Sequence, residues 1–224
     1  MNSKNIINGF YHSNAILFNI KKIKTNKIKL VIINLKKNIA SYIYIKNKIN
    51  ACKKIKNYYQ VYNLPQKISQ LKLINLIFKL NKQKINGIII QSPIPENIKK
   101  KHILINIDVK KDVDGLNPTN MGKRLQNQKA FKTCTASAII YIFKKYIFKK
   151  KLHAIMIGTS ITVGRPIILE LLKKNITLTS CNKFTKKIKK KIKNSNILIS
   201  AIGKFNVIKK KLIKNKIIMI DIGI

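Results

Sequence analysis

The stretch "IMIGTSITVGRP", residues 155–166, decides the fold. An apolar run reaches Gly158, passes Ser160 and re-enters an apolar pattern at Gly164, which reads as strand, tight turn and helix. Pro166 suits the first helical turn, where a missing N–H is harmless. The middle glycine of G-x-G-x-x-G is absent. Gly158, Thr159, Ser160 and Gly164 still form a turn that can aim backbone N–H groups at a phosphate. A bare strand-to-helix turn would use the same residues, so the sequence that follows carries weight. "SAIG" and the terminal "DIGI" put small residues at the ends of two later apolar runs, where a dinucleotide crevice opens at the carboxyl edge of a sheet. NAD-type sites place an acid after the second strand. Here "LTSCNKFTKK" has no acid and carries Lys183 instead, with Ser180 and Thr185 nearby. A positive, hydroxyl-rich loop suits a 2′-phosphate and points to NADP, with NAD as the alternative.

Outward from this turn, apolar runs alternate with helical patterns. "KLVIINL" (29–35), "YYQVYNLP" (58–65) and "INGIIIQ" (85–91) read as strands. A helix is expected from Ser41 to Asn57 with Ser41 as cap, and another over 69–81 with Leu71, Ile74, Ile77 and Phe78 on one side. "DVDGLNPTNMGKR" reads as a linker or ligand-facing loop, and "CTASAIIYIFKKYIFKK" as a long helix. Strands then follow at "LHAIMIG", "ITLTS", "NSNILISAIG" and "NKIIMIDIG". The expected architecture is α/β with two lobes and a cleft between them: an N-terminal α/β domain over 1–118 and a Rossmann-like domain over 119–224.

Composition narrows the function. The chain of 224 residues carries 48 Lys plus Arg against 6 Asp plus Glu, formally +42. Such charge attracts polyanions. Yet nearly all of it is lysine spread along the chain, and arginine, the residue of bidentate base readout, stands only at Arg124 and Arg165. Non-specific polyanion sticking is expected, and specific nucleic-acid recognition is not. Cys52, Cys134 and Cys181 are widely spaced, and His12, His102 and His153 show no ligand spacing, so no metal site is read. No apolar run approaches membrane-spanning length and no signal-peptide pattern opens the chain, so a cytoplasmic location is expected.

One pair stands out. In "SYIYIKNK", Tyr44 and Lys48 lie four residues apart and share a helix face. Taken singly, Lys48 is an ordinary solvated lysine, Tyr44 packing, Gln91 a strand end and Asp114 a turn former before Gly115. In order, however, "SYIYIKNK", "GIIIQSPIP", "KDVDGLNP", "CTA", "GTSITVGRP", "SAIGK" and "IDIGI" resemble the bifunctional methylenetetrahydrofolate dehydrogenase/methenyltetrahydrofolate cyclohydrolase family over nearly the whole chain. The resemblance implies that Lys48 is the key cyclohydrolase residue, with Gln91 as its hydrogen-bond partner. Tyr44 would pack on the folate rings and Asp114 would grip the pterin. Gly158, Thr159, Ser160, Gly164 and Lys183 would line the NADP site, with the backbone of Ile224 beside the cofactor. It further implies a homodimer and a place in one-carbon metabolism serving purine, methionine and histidine biosynthesis.

Departures accompany the match. Thr133 and Ala136 stand where the family has the prolines of P-C-T-P, Asn182 where it has histidine, and Phe205 where it has the proline of G-K-P. Asn34-Leu35 replaces a V-G after the first strand. Relatives continue past "DIGI" with a P-G-G-V-G-P-M-T loop, and its absence here is read as a truncated sequence, a split reading frame completed by a separately encoded C-terminal piece, or a decaying gene. Competing readings are an inactive or split remnant of that enzyme, a different nicotinamide dehydrogenase and a lysine-rich nucleic-acid-binding protein.

Overall fold

The computed structural model describes residues 6–23, 28–35, 38–147, 151–203, 208–209, 212–214 and 217–222. Its contacts divide the chain into two compact units, Met1–Val113 and Asp114–Ile224, so the division falls just ahead of Pro118.

The first unit begins with α1 (Gly9–Lys22), whose start is capped by the Asn8 side chain accepting from the N–H groups of Phe10 and Tyr11. Three parallel strands follow, β1 (Lys29–Asn34), β2 (Tyr58–Asn63) and β3 (Gly87–Gln91), in the order β2-β1-β3. They alternate with α2 (Ile39–Lys54) and α3 (Gln70–Lys82). Right-handed crossovers that leave β1's two sides in opposite directions put these helices on opposite faces. The sequence of β1 obeys that demand: Val31, Ile32 and Ile33 are fully buried on both faces. A short α4 (Lys100–Ile105) completes the layer, and the chain returns beside β3, where the N–H of Ile88 donates to the carbonyl of Lys111 at 2.8 Å.

Two local expectations are corrected. The α2 cap is Asn38, whose Oδ1 accepts from the N–H of Ser41 at 2.7 Å; Ser41 sits inside the helix, buried. On α3 the buried stripe is Leu73, Ile77 and Leu80, while Leu71 and Phe78 are exposed. Apolar residues surround that helix, so 3.6-residue spacing admits more than one stripe, and contact with the sheet selects among them.

In the second unit the segment read as a linker holds α5 (Pro118–Leu125). Asn117 caps it by accepting from the N–H of Thr119, and Pro118 takes its first position, a start signal that the loop-like composition concealed. Next come α6 (Cys134–Tyr146), β4 (His153–Ile157), α7 (Gly164–Leu172), β5 (Thr177–Cys181), α8 (Ile188–Lys193), β6 (Ile197–Ser200) and β7 (Ile218–Asp221). The sheet is parallel in the order β5-β4-β6-β7. Strand alternation sorts the core: Ala154 and Met156 face α6 and α7, whereas Ile155 and Ile157 join Ile192 of α8 in a separate cluster. Among the described residues no helix is long and apolar enough to cross a membrane.

Candidate active site

Open parallel sheets bind ligands outside the carboxyl ends of their strands, where consecutive crossovers part in opposite directions. Each unit has one such point. In the first it lies at the ends of β1 and β3, where Asn34 and Gln91 are register partners.

Gln91 is nearly buried at the end of β3. Its amide donates to the carbonyl of Ser92 at 3.0 Å, which turns Oε1 toward α2. There the Lys48 ammonium donates to Oε1 at 2.9 Å. This lysine is not on the solvated face. Ser41, Ile45, Lys48 and Cys52 follow a 4-3-4 spacing along α2; Ser41, Ile45 and Cys52 are buried and Lys48 is half-buried among them. Ser41 adds a tie that sequence reasoning did not foresee: its hydroxyl donates to the same Ser92 carbonyl at 3.2 Å. The turn after β3, with its cis Ser92–Pro93 bond, is thereby held against α2. Tyr44, one turn before Lys48, is 41 % exposed and presents its ring at the surface. The structure thus brings Lys48, Gln91 and Tyr44 to one place. Buried Cys52, at the end of the stripe, has its thiol pKa pushed up by burial, which holds it neutral beneath the site.

Asp114 opens the second unit and is half-buried, with the thiol of Cys134 donating to its Oδ1 at 3.6 Å. Gly115 follows with φ +64°, and a Cβ there would lie 2.6 Å from the Lys132 carbonyl carbon, so the chain passes too closely for any side chain. Glu170 on α7 holds Arg124 of α5 in a forked pair, Nε–Oε1 at 2.9 Å and Nη2–Oε1 at 2.7 Å, with Lys132 at 3.9 Å. One of the few acids of the chain therefore fastens α5 to α7.

The glycine turn sits at the second switch point, between β4 and β6. Gly158 has φ +101°, and a Cβ there would fall 2.5 Å from the Ala201 carbonyl oxygen. A Cβ on Gly164 would run into the carbonyl of Gly158. Both glycines are needed for the turn to close this tightly. Ser160 shapes the turn from within: its Oγ accepts from the N–H groups of Val163 and Gly164 at 3.3 and 3.4 Å, just ahead of α7. Thr159 is half-buried between them. The N–H of Gly158 donates to the Cys181 carbonyl at 2.9 Å and ties the turn to the end of β5. Burial pushes the Cys181 thiol up, an effect that Lys191 partly opposes. Beyond Cys181, Lys183 is exposed, its ammonium 4.9 Å from the centre of the Phe184 ring. A cradle too tight for side chains, at a helix start and with an exposed lysine in the loop after β5, fits a dinucleotide phosphate. Ile224 lies outside the described residues.

Comparison with known proteins follows the same division. The model of the family "Tetrahydrofolate dehydrogenase/cyclohydrolase, catalytic domain" matches residues 4–114, and that of its NAD(P)-binding domain matches residues 133–224. The bifunctional protein FolD of Buchnera aphidicola subsp. Cinara cedri is 41 % identical over 87 % of this chain and 69 % of its own. That of Legionella pneumophila (strain Corby) is 42 % identical over 67 % of this chain and 54 % of its own. Among solved structures, the FolD methylenetetrahydrofolate dehydrogenase/cyclohydrolase of Campylobacter jejuni superposes with TM-score 0.90 at 32 % identity, covering 96 % of this chain and 79 % of that one. The bifunctional enzyme of Thermoplasma acidophilum gives 0.86 at 30 % identity, covering 95 % and 77 %.

Proposed function

Because the chain belongs to the tetrahydrofolate dehydrogenase/cyclohydrolase family, we propose that it oxidises 5,10-methylenetetrahydrofolate to the methenyl compound with NADP and hydrolyses that to 10-formyltetrahydrofolate. The observation that carries this reading is the Lys48–Gln91 bond on the inward stripe of α2, at the carboxyl ends of the strands.

The dehydrogenase step asks little acid–base chemistry of the protein. Nitrogen lone pairs on either side of the one-carbon bridge stabilise the cation left when hydride departs, and the bound nicotinamide supplies the hydride acceptor. The protein's task is placement. The turn at Gly158 and Gly164 lets the pyrophosphate approach the backbone at the start of α7, with Thr159 on its rim. Ser160 serves it by holding the turn's shape. Lys183 meets the 2′-phosphate, and no acid in its loop favours an unphosphorylated ribose.

The cyclohydrolase step needs proton transfer. Water attacks the methenyl carbon, the Lys48 amine takes a proton from it and later returns one to the departing ring nitrogen. Gln91 orients that nitrogen through its carbonyl oxygen. Tyr44 offers a flat face to the folate rings, and Asp114 accepts from the paired N–H donors of the aminopyrimidine edge. The chain works as a homodimer in the cytoplasm and feeds purine, methionine and histidine biosynthesis.

The test is direct. Purified protein is given 5,10-methylenetetrahydrofolate with NADP or NAD, and methenyl formation and decay are followed separately by absorbance. Faster formation with NADP, followed by decay above the spontaneous rate, supports the reading. Neither signal above background refutes it.

A further inference from the structure

The replacement of a family valine by Asn34 has no part in the mechanism above, yet the residue sits inside the site. It ends β1 as register partner of both Asn63 on β2 and Gln91 on β3. In a parallel sheet, partners in register point to the same face, and neighbouring strands lie about 4.8 Å apart. The three carboxamides therefore form a row, and Lys48 comes down onto one end of it. Asn34 is only 8 % exposed. Its Nδ2 donates to Asn63 Oδ1 at 3.0 Å. Among the described residues, its own Oδ1 is buried and accepts no hydrogen bond from the protein.

A strand end that needed only packing would keep an aliphatic side chain, and a purely structural amide ladder would use both ends of each amide. Here only the donor end is used. A buried carbonyl left unpaired is costly, and native proteins answer such groups with a bound water or a ligand donor. In the amine form that a base requires, Lys48 has two N–H groups, one of them given to Gln91, and a lone pair that can accept from a water. A water between Asn34 and Lys48 would satisfy both.

We propose that Asn34 Oδ1 holds the attacking water of the cyclohydrolase step, making Asn34 a further catalytic residue of this chain. The inference rests on the functional reading above. Accepting one O–H of the water leaves an oxygen lone pair free for the methenyl carbon and the second O–H directed at the Lys48 amine. The water oxygen bonds to carbon and Lys48 receives that proton. The bond from carbon to the ring nitrogen then breaks, its electron pair and the proton from Lys48 going to that nitrogen. The remaining hydroxyl proton leaves to solvent as the formyl group forms. Asn34 changes no charge throughout.

The isosteric variants Asn34→Val and Asn34→Thr test this, since both lose the amide but only threonine keeps an acceptor. The expected result is a fall of about tenfold in the ratio of cyclohydrolase to dehydrogenase turnover for Asn34→Val, the scale of one lost hydrogen bond. KM for the methenyl compound should stay within about twofold, and Asn34→Thr should recover most of the loss. A high-resolution crystal structure should show a water within hydrogen-bond distance of Asn34 Oδ1. Parental hydrolysis by Asn34→Val, an equal fall in both variants, or a protein group in place of that water overturns the inference alone. A parent protein without cyclohydrolase turnover overturns the functional reading and this inference with it.

Discussion

Replacing Lys48 by methionine removes the amine and keeps a stem of similar length between Ile45 and Cys52. Two separate effects follow from the geometry. Gln91 is 6 % exposed, and its Oε1 loses the partner at 2.9 Å, an uncompensated buried acceptor that costs about 1–3 kcal/mol of stability. The chemical loss is larger. A missing general acid–base lowers turnover about 100-fold or more, which at 1.36 kcal/mol per decade is about 2.7 kcal/mol on the barrier. Hydride transfer needs no such proton relay and should fall much less at saturating folate. The assay follows methenyl decay by absorbance, with a thermal melt to show that each variant is folded. Lys48→Arg separates the effects: it can still donate to Gln91, so stability is retained, but guanidinium cannot take a proton and hydrolysis stays low. If Lys48→Met hydrolyses the methenyl compound at the parental rate, the bond to Gln91 is structural and the reasoning fails.

Tyr44→Ala should raise KM for folate in both reactions and leave cofactor affinity unchanged, measured by steady-state kinetics and NADP titration. Lys183→Ala should weaken NADP binding about tenfold or more and leave NAD unaffected, as loss of one charge-assisted contact requires; equal effects on both cofactors would remove Lys183 from the 2′-phosphate. Glu170→Gln should destabilise the second unit by about 3–5 kcal/mol in urea denaturation, because Arg124 and Lys132 lose their shared carboxylate. Of the three thiols, exposed Cys134 should react first with a disulfide reagent at mildly alkaline pH, with Cys52 and Cys181 reacting only on unfolding. Burial raises both of those thiols, so the unfolded chain deprotonates before the folded one. Their contribution is whole below the ordinary thiol range and is lost as pH climbs through the raised values, which a denaturant series against pH would show.

The alternation of strands with helical crossovers was legible because uncharged runs such as "VII" in β1 and "IMI" in β4 leave no alternative to burial on both faces, whereas the order of the strands within each sheet came only from the structure. The glycine turn was legible for a similar reason, since the backbone demand at Gly158 and Gly164 belongs to the residues themselves. Where several residues could meet a local demand, the sequence was ambiguous. Asn38 and Ser41 both cap helices well, and only the approach of the turn after β3 reserves Ser41 for Ser92. Leu71 and Phe78 have the same helical spacing as the stripe that is buried, and the position of the sheet chose between them. Lys48 is the sharpest case. In a chain so rich in lysine, composition marks it as solvated, while spacing and resemblance raise it as a candidate. What decides is a partner 43 positions away in sequence, brought to hydrogen-bond distance by parallel pairing of β1 with β3. Asn34 shows the same division: its identity could be read as a departure, but its unpaired carbonyl exists only once register sets Asn63 on one side and Gln91 on the other. Local backbone and burial demands act over a few residues and leave their mark in sequence. Hydrogen-bond partnership across strands depends on register, which only the assembled sheet defines.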